Sequence, residues 1–330
     1  MLVGIAGGSG FVGLAIAEVL LQQGAHVLLV DINQPPEAAL KFLGAHSGLG
    51  ALEIQVADVT DAGEAAQALR GIDALVCAAA VTSADARERE RPTETLETNI
   101  LGFTNLLQAA RGVGVKRIIN LSSASAYGLS GFEGNGSITE EGTWPKPNTL
   151  YGVSKLASEG IAARLSELWA TDIINLRLSA VYGPWERDTG RRDTLSPHLQ
   201  AAILMLKGEV AVLPRRCARD WTDSRKVAEA VAILLKAKSR KHSLYNISAG
   251  KSWAVADWLD ALTSARPELC WRLAENDEES NVNLHGLSDR RPLSIDRFSA
   301  EFGINLWLDP TESAQSFLSW KKATPGYWGN

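Results

Sequence analysis

One heptapeptide, GGSGFVG at residues 7–13, restricts what this chain can fold into more than any other segment. A short apolar run at 2–6 leads into it. Apolar residues at helical spacing follow from 11 to 23, with Gly24 as a stop signal. The order is strand, tight turn, helix. Gly7, Gly10 and Gly13 keep the spacing GxxGxxG, and Gly8, Gly10 and Gly13 also satisfy GxGxxG. Either register puts glycine where a turn needs permissive dihedrals and where a diphosphate must come close to the main chain. The helix that starts there offers free N–H groups and its positive dipole end. A second apolar run at 26–30 ends at Asp31, close to the ~20 residues expected before a carboxylate that holds a ribose 2′-hydroxyl. The segment is read as a nucleotide site. Asp31 favours NAD, because a carboxylate repels the 2′-phosphate of NADP, and Ile32 and Asn33 bring no cation to offset it.

Buried-strand signals recur at 53–56, 74–77, 117–121 and 173–178, with amphipathic segments between them and no hairpin turns. That alternation predicts right-handed βαβ crossovers, so the expected fold is α/β with a doubly wound parallel Rossmann sheet. All ten tryptophans lie between Trp144 and Trp328, a shift in composition that predicts a second, smaller lobe after Pro184. The expected division is a cofactor domain at 1–184, to which 208–248 return, and a substrate-binding lobe made of 185–207 and 249–330. The tryptophans are read as packing residues, with Trp185 and Trp221 kept as candidates for ligand contact because they adjoin motifs described below. The run ARERERP at 86–92 alternates in sign and reads as a solvated helical edge, with Arg87 alone close enough to the sheet's mouth to be weighed for substrate contact.

Composition excludes several classes. A hydrophobic content of 45% over 330 residues is enough for a sizeable core and argues against disorder. A net charge of −5 and a pI near 5.7 give no reason to expect nucleic acid or an anionic membrane as partner. Cys77, Cys217 and Cys270 form no CxxC pair, and their odd number fits a reducing cytoplasm. The five histidines show no HxxxH spacing, so no bound metal is expected. Residues 2–21 are nearly all apolar or glycine, yet no Lys or Arg precedes Lys41 and Glu18 interrupts the run. Neither a signal peptide nor a membrane span is therefore expected, and the chain reads as soluble and cytoplasmic.

Tyr151 and Lys155 form a YxxxK motif in a stretch that continues as a helix to Leu168. Positions i and i+4 share a helical face, so phenol and ammonium point the same way. Moving a tyrosine pKa from ~10 toward 7 takes about 4 kcal/mol of differential stabilisation, which a neighbouring ammonium and a nicotinamide cation could supply together. The product is a phenol usable as general acid or base near neutral pH. Alone the motif is common by chance. It is preceded by NLSSASAYG at 120–128, and here the chain resembles the extended short-chain dehydrogenase/reductases, specifically the NAD-dependent epimerase/dehydratase family. The further matching pieces are Asp58-Val59, CAAA at 77–80, TNILGFTNLLQAA at 98–110, RLSAVYGP at 177–184, RDW at 219–221, YNISAG at 245–250 and RRPLSID at 290–296.

The resemblance implies site residues one by one. Gly7, Gly10, Phe11, Val12 and Gly13 would line the diphosphate, Asp31 the adenosine ribose, and Asp58 and Val59 the adenine. Ala78, Ala79 and Asn99 would meet the cofactor near the ribose and nicotinamide, and Lys155 would bridge the nicotinamide ribose while tuning Tyr151. Ser123, four residues before the YG pair, would be the catalytic serine, with Ser122 as a control position. Arg219 and Arg291 would clamp the substrate's diphosphate. The chain departs from the family's pattern in three places. Ala124 and Ser125 stand where dehydratases carry an acidic pair, so dehydration and decarboxylation are set aside. Ala180 replaces an asparagine usual in nucleotide-sugar members, and TDSRK at 222–226 replaces the usual V-Y-V-D-D.

The expected function is an NAD-dependent epimerase or oxidoreductase, transferring hydride at a hydroxyl carbon of a sugar, with a sugar nucleotide as the first reading. A dehydrogenase of a small anionic sugar derivative is the alternative, prompted by Arg187, Arg191 and Arg192 in the loop after YGP. A non-catalytic NAD(H)-binding protein is the second alternative. The resemblance also implies a homodimer, through helices at 94–111 and 151–169.

Overall fold

A computed structural model describes residues 1–48, 50–275, 279–286 and 288–328. Its strands are β1 (Leu2–Ala6), β2 (His26–Asp31), β3 (Leu52–Val56), β4 (Ala74–Cys77), β5 (Arg117–Ser123), β6 (Asp172–Leu178), β7 (Val181–Tyr182), β8 (Ala211–Leu213), β9 (Ala218–Arg219), β10 (Thr222–Asp223), β11 (Leu244–Ile247), β12 (Trp253–Ala254) and β13 (Trp271–Leu273). Seven of them form one sheet in the order β11-β6-β5-β4-β1-β2-β3, every neighbour parallel. The doubly wound fold is therefore as expected. Strands read from the sequence start and stop within one or two residues of those found. The short strands pair off beyond the sheet, β10 with β7, β12 with β9 and β13 with β8.

The helices are α1 (Phe11–Gln22), α2 (Glu37–Ala45), α3 (Ala62–Ala68), α4 (Asp85–Glu90), α5 (Pro92–Leu96), α6 (Phe103–Gly112), α7 (Leu150–Trp169), α8 (Pro197–Leu206), α9 (Ser224–Lys236), α10 (Val255–Ala265), α11 (Asp296–Phe302) and α12 (Pro310–Ala323). Residues 13–21 of α1 are all buried, because this stretch of the helix is apolar apart from Glu18 and is covered by α9 as well as by the sheet. A π-helical turn, Glu97–Gly102, joins α5 to α6.

The strand order reverses between β1 and β4, and the connections that follow their paired carboxyl ends lead away in opposite directions, leaving the crevice that is the usual ligand position in such sheets. An aromatic cluster lies around Tyr182 and His198, whose rings stack at 4.1 Å, with Trp253 and Trp258 at their edges, and it is continuous with the core on one face of the sheet. Trp185 is fully buried and meets Phe42, Trp320 and Tyr327 edge-on, so it is a packing residue and not a ligand contact. Its indole N–H donates to the buried carboxylate of Glu18, which also pairs with Arg225 at 2.8 Å. That triad ties the first helix of the sheet to α9 and to the segment that follows β7.

Among the described residues no helix is long and apolar enough to cross a membrane, and no group of three or more His, Cys, Asp or Glu is placed to hold a metal ion.

Candidate active site

The glycine loop leaves β1 with Gly7 at φ +80°, where an added Cβ would run into the backbone of Ala79 at 2.4 Å. Gly13 lets α1 sit against the loop, since a Cβ there would come within 2.2 Å of the Gly7 carbonyl oxygen. Gly10 differs: a Cβ would meet only that same oxygen, at 3.1 Å. The protein leaves open space over Gly10, which is what a bound diphosphate requires. No side chain caps α1, so its first-turn N–H groups are available to an anion. The residues present fit a dinucleotide.

Asp31 lies at the far side of this loop and accepts N–H bonds from Ser9 at 3.1 Å and Asn33 at 3.2 Å. Burial pushes its pKa up, opposed by these two donors and by the nearby Arg187 guanidinium. Arg187 donates to the Ser9 carbonyl at 3.2 Å. Sequence spacing places Arg187 only in the loop after YGP, and the fold brings it to Asp31 from the other half of the chain. Asp58 and Val59 line the same end of the cleft, and Asn105 of α6 holds the carbonyls of Val59 and Thr60 at 3.1 and 3.0 Å.

The cleft has a volume of about 620 Å³ and runs from Asp31, past the glycine loop, to Ser123, Tyr151 and Lys155. Ser123 ends β5, where its hydroxyl accepts the Ser125 N–H at 3.1 Å. Tyr151 and Lys155 stand on the first two turns of α7, capped by the Thr149 hydroxyl on the Gly152 N–H. The Lys155 ammonium lies 5.7 Å from the centre of the Tyr151 ring and donates to the Leu121 carbonyl at 2.8 Å. Ser122 points into a structural network instead, its hydroxyl donating at 2.5 Å to Glu159, which pairs with buried Arg177. Arg177 lies over the Tyr127 ring, 4.4 Å from its centre. Neighbouring serines thus have separate jobs, as side-chain alternation along a strand requires.

Phe11, Val12, Ala78, Ala79 and Arg219 also line the cleft, joined by Thr189, Arg191, Arg192 and His285 from segments beyond Pro184. Arg219 is largely buried, which lowers its pKa, and it holds the carbonyls of Leu284 and His285 at 3.1 and 3.2 Å. Two of the expected contact residues lie outside the cleft lining. Asn99 is 3% exposed and bonds both ways to Val81, at 2.8 and 3.0 Å, and to Ser154 at 3.0 Å. It sits in the π-helical turn, beside cleft-lining Glu97 and Thr98, and braces the chain where it leaves β4. Arg291 lies outside the cleft, its guanidinium holding the carbonyls of Ser130, Asn135 and Gly136. Its segment is bound to Ile138 by backbone pairing, which turns the side chain away, while Arg290 neutralises fully buried Asp220 at 2.8 Å.

With this geometry in place, comparison with known proteins agrees with it. The chain is 27% identical over 291 residues to a dTDP-L-rhamnose 4-epimerase of Burkholderia thailandensis, covering 77% of this chain and 78% of that protein. It is 30% identical over 194 residues to UDP-glucuronate 4-epimerase 4 of Arabidopsis thaliana, covering 56% and 42% of the two chains. Among solved structures, a UDP-glucose-4-epimerase from Stenotrophomonas maltophila, with bound NAD and formylated UDP-arabinopyranose, superposes with a TM-score of 0.80 at 23% identity over 98% of both chains. The UDP-glucuronic acid 4-epimerase of Bacillus cereus in complex with NAD gives 0.76 at 19% identity, covering 98% of this chain and 97% of that one. The family model "NAD dependent epimerase/dehydratase family" matches residues 3–248, and the chain belongs to that family.

Proposed function

We propose that the protein is an NAD-dependent epimerase that inverts C4 of a sugar nucleotide. The observation that carries this reading is that Ser123, Tyr151 and Lys155 face the same cleft as the glycine loop and Asp31. Tyr151 takes the proton from the sugar hydroxyl, Ser123 holds that oxygen, and Lys155 keeps a positive charge beside the phenol as it ionises. Bound NAD would supply the acceptor for the carbinol hydride and its source for the return. Between the two transfers the keto sugar turns over in the cleft and Tyr151 returns the proton to the new alcohol. Gly7, Gly10, Phe11, Val12 and Gly13 would hold the diphosphate, Asp31 the ribose, Asp58 and Val59 the adenine, and Ala78 and Ala79 the nicotinamide side. Arg219 is the candidate for the substrate's anionic part. Residues 1–184 with 208–248 would serve as the cofactor-holding part, and 185–207 with 249–330 as the substrate-holding part. The working form is read as a cytoplasmic homodimer.

A second reading, a dehydrogenase of a small anionic sugar derivative, is favoured by one feature. Arg191, Arg192 and Arg219 converge on a cleft in which Ala180 offers no polar anchor. One experiment separates the two. The purified protein is denatured to identify retained nucleotide, and the native protein is incubated with UDP-glucuronate, UDP-glucose and a dTDP-linked deoxysugar. About one NAD per chain and an equilibrium mixture of C4 epimers without net NADH are expected. Accumulating NADH would identify a dehydrogenase, and no conversion of any of the three would overturn the reading. Tyr151→Phe is expected to lower turnover by at least about 10²-fold while NAD stays bound.

A further inference from the structure

The charged run at 86–92 is only half the solvated edge that its sequence suggests. Asp85 and Arg89 do face solvent, 3.8 Å apart and each about four-fifths exposed. The other side of the same turn is held from two directions by consecutive residues. Glu88 reaches α7, where its carboxylate accepts the N–H of Leu150 at 2.8 Å and of Tyr151 at 3.3 Å, and the hydroxyl of Ser83 at 3.0 Å. Those are the first two N–H groups of the helix, which have no acceptor within it. Together with Thr149 on Gly152, side chains satisfy the first three. Arg87 reaches the opposite way, to Asp193 at 2.6 Å, the Gly190 carbonyl at 2.8 Å and Glu94 at 2.8 Å. Its side chain is 11% exposed and lies outside the cleft lining, so the weighed substrate contact gives way to an anchoring role.

We propose that Glu88 is a positioning residue for Tyr151, acting through the first turn of α7, with the Arg87 ion pairs holding Glu88 in place from the other side. This rests on Tyr151 being the general base of the proposed function. The tyrosine sits at the second position of its helix, in the turn that frays first when its N–H groups lose their partners. A charged acceptor at a helix N-terminus gives short, strong bonds and complements the dipole. Freed of it, the phenol would sample positions around the reacting hydroxyl, and a displacement of about 1 Å at such a group can cost about 10²-fold in rate.

The test uses the NAD-loaded enzyme and three variants. Glu88→Ala removes the acceptor, Glu88→Gln keeps an acceptor oxygen without the charge, and Glu88→Asp draws the carboxylate back by one methylene. Hydrogen exchange at the amides of 150 and 151 is followed by mass spectrometry, alongside kcat and KM for the sugar nucleotide that the wild type converts. Glu88→Ala is expected to expose both amides and lower kcat by about 10- to 10²-fold with KM within about 2-fold, and Glu88→Gln to recover most of both. If Glu88→Ala does not fold, Glu88→Asp is held to the same criteria. Wild-type exchange and kcat in the alanine variant would overturn the proposal, as would a glutamine variant as slow as alanine but with fully protected amides. The exchange measurement needs no turnover. If the wild type converts no sugar nucleotide, the proposed function falls, while exchange at 150 and 151 still decides whether Glu88 seats the helix.

Discussion

Asp31 shows what a single residue reveals and conceals. Its spacing from the glycine loop makes it the candidate for the ribose carboxylate, and β2 delivers it to the cleft. The neighbouring sequence offers no cation, yet Arg187 approaches from 156 positions downstream and offsets part of the burial that raises the carboxyl's pKa. This end of the cleft therefore sets one carboxylate against one guanidinium. Asp31→Asn removes the repulsion of a 2′-phosphate and leaves Arg187 free to meet it. Fluorescence titration should then show NAD affinity falling by about 10-fold and NADP affinity rising toward it, the equivalent of one or two hydrogen bonds to a charged group. Unchanged affinity for both nucleotides would remove Asp31 from the ribose site. The serine pair makes the same point, because Ser122 and Ser123 are indistinguishable by type and only the pleat of β5 decides that the Ser122 hydroxyl bonds buried Glu159 while the Ser123 hydroxyl bonds Ser125 at the cleft.

At the scale of elements, TDSRK at 222–226 looked like a loss of the family's usual pattern, and the structure gives it a positive role. Asp223 caps α9 by accepting the Arg225 N–H at 2.9 Å, and Arg225 carries its charge to Glu18. Burial raises Asp223 from the ordinary 3.8 to about 6, against the pull of Arg225 and with Glu18 adding to it. The folded state therefore binds more protons than the unfolded one between pH 4 and 6. The charged cap costs stability above that window and is neutral below it. Asp223→Asn keeps the cap without the charge. It should raise the melting temperature at pH 8, by an amount corresponding to at most about 3 kcal/mol, and the gain should vanish near pH 4. A gain independent of pH would assign the effect to packing. The central strands themselves were plain from their apolar runs, since strands buried on both faces leave no alternation to misread. The run at 86–92 misled, because periodicity counts charges and cannot see that Arg87 and Glu88 each have a partner folded over them.

For the whole molecule, apolar side chains stay exposed where α7 and the π-helical turn leave the sheet: Leu101 at 49%, Val153 at 44% and Leu168 at 57%. Scattered surface leucines need no explanation, but these lie on the two helical segments proposed for dimer contact. Sedimentation at micromolar concentration should give twice 35.5 kDa, and Val153→Arg with Leu168→Glu should give the monomer. A wild-type monomer would remove the dimer from the proposal. The sequence by itself determined the parallel sheet, the glycine loop, Asp31 and the Tyr151–Lys155 pair, because each depends on residues within one or two turns or one βα unit of each other. Tertiary structure alone decided that Arg187 answers Asp31, that Glu88 holds the start of α7, that Asn99 braces β4 and that Arg291 turns away from the cleft. Those outcomes depend on groups 18 to more than 150 residues apart, and local spacing carries no record of which distant backbone or charge a side chain will meet.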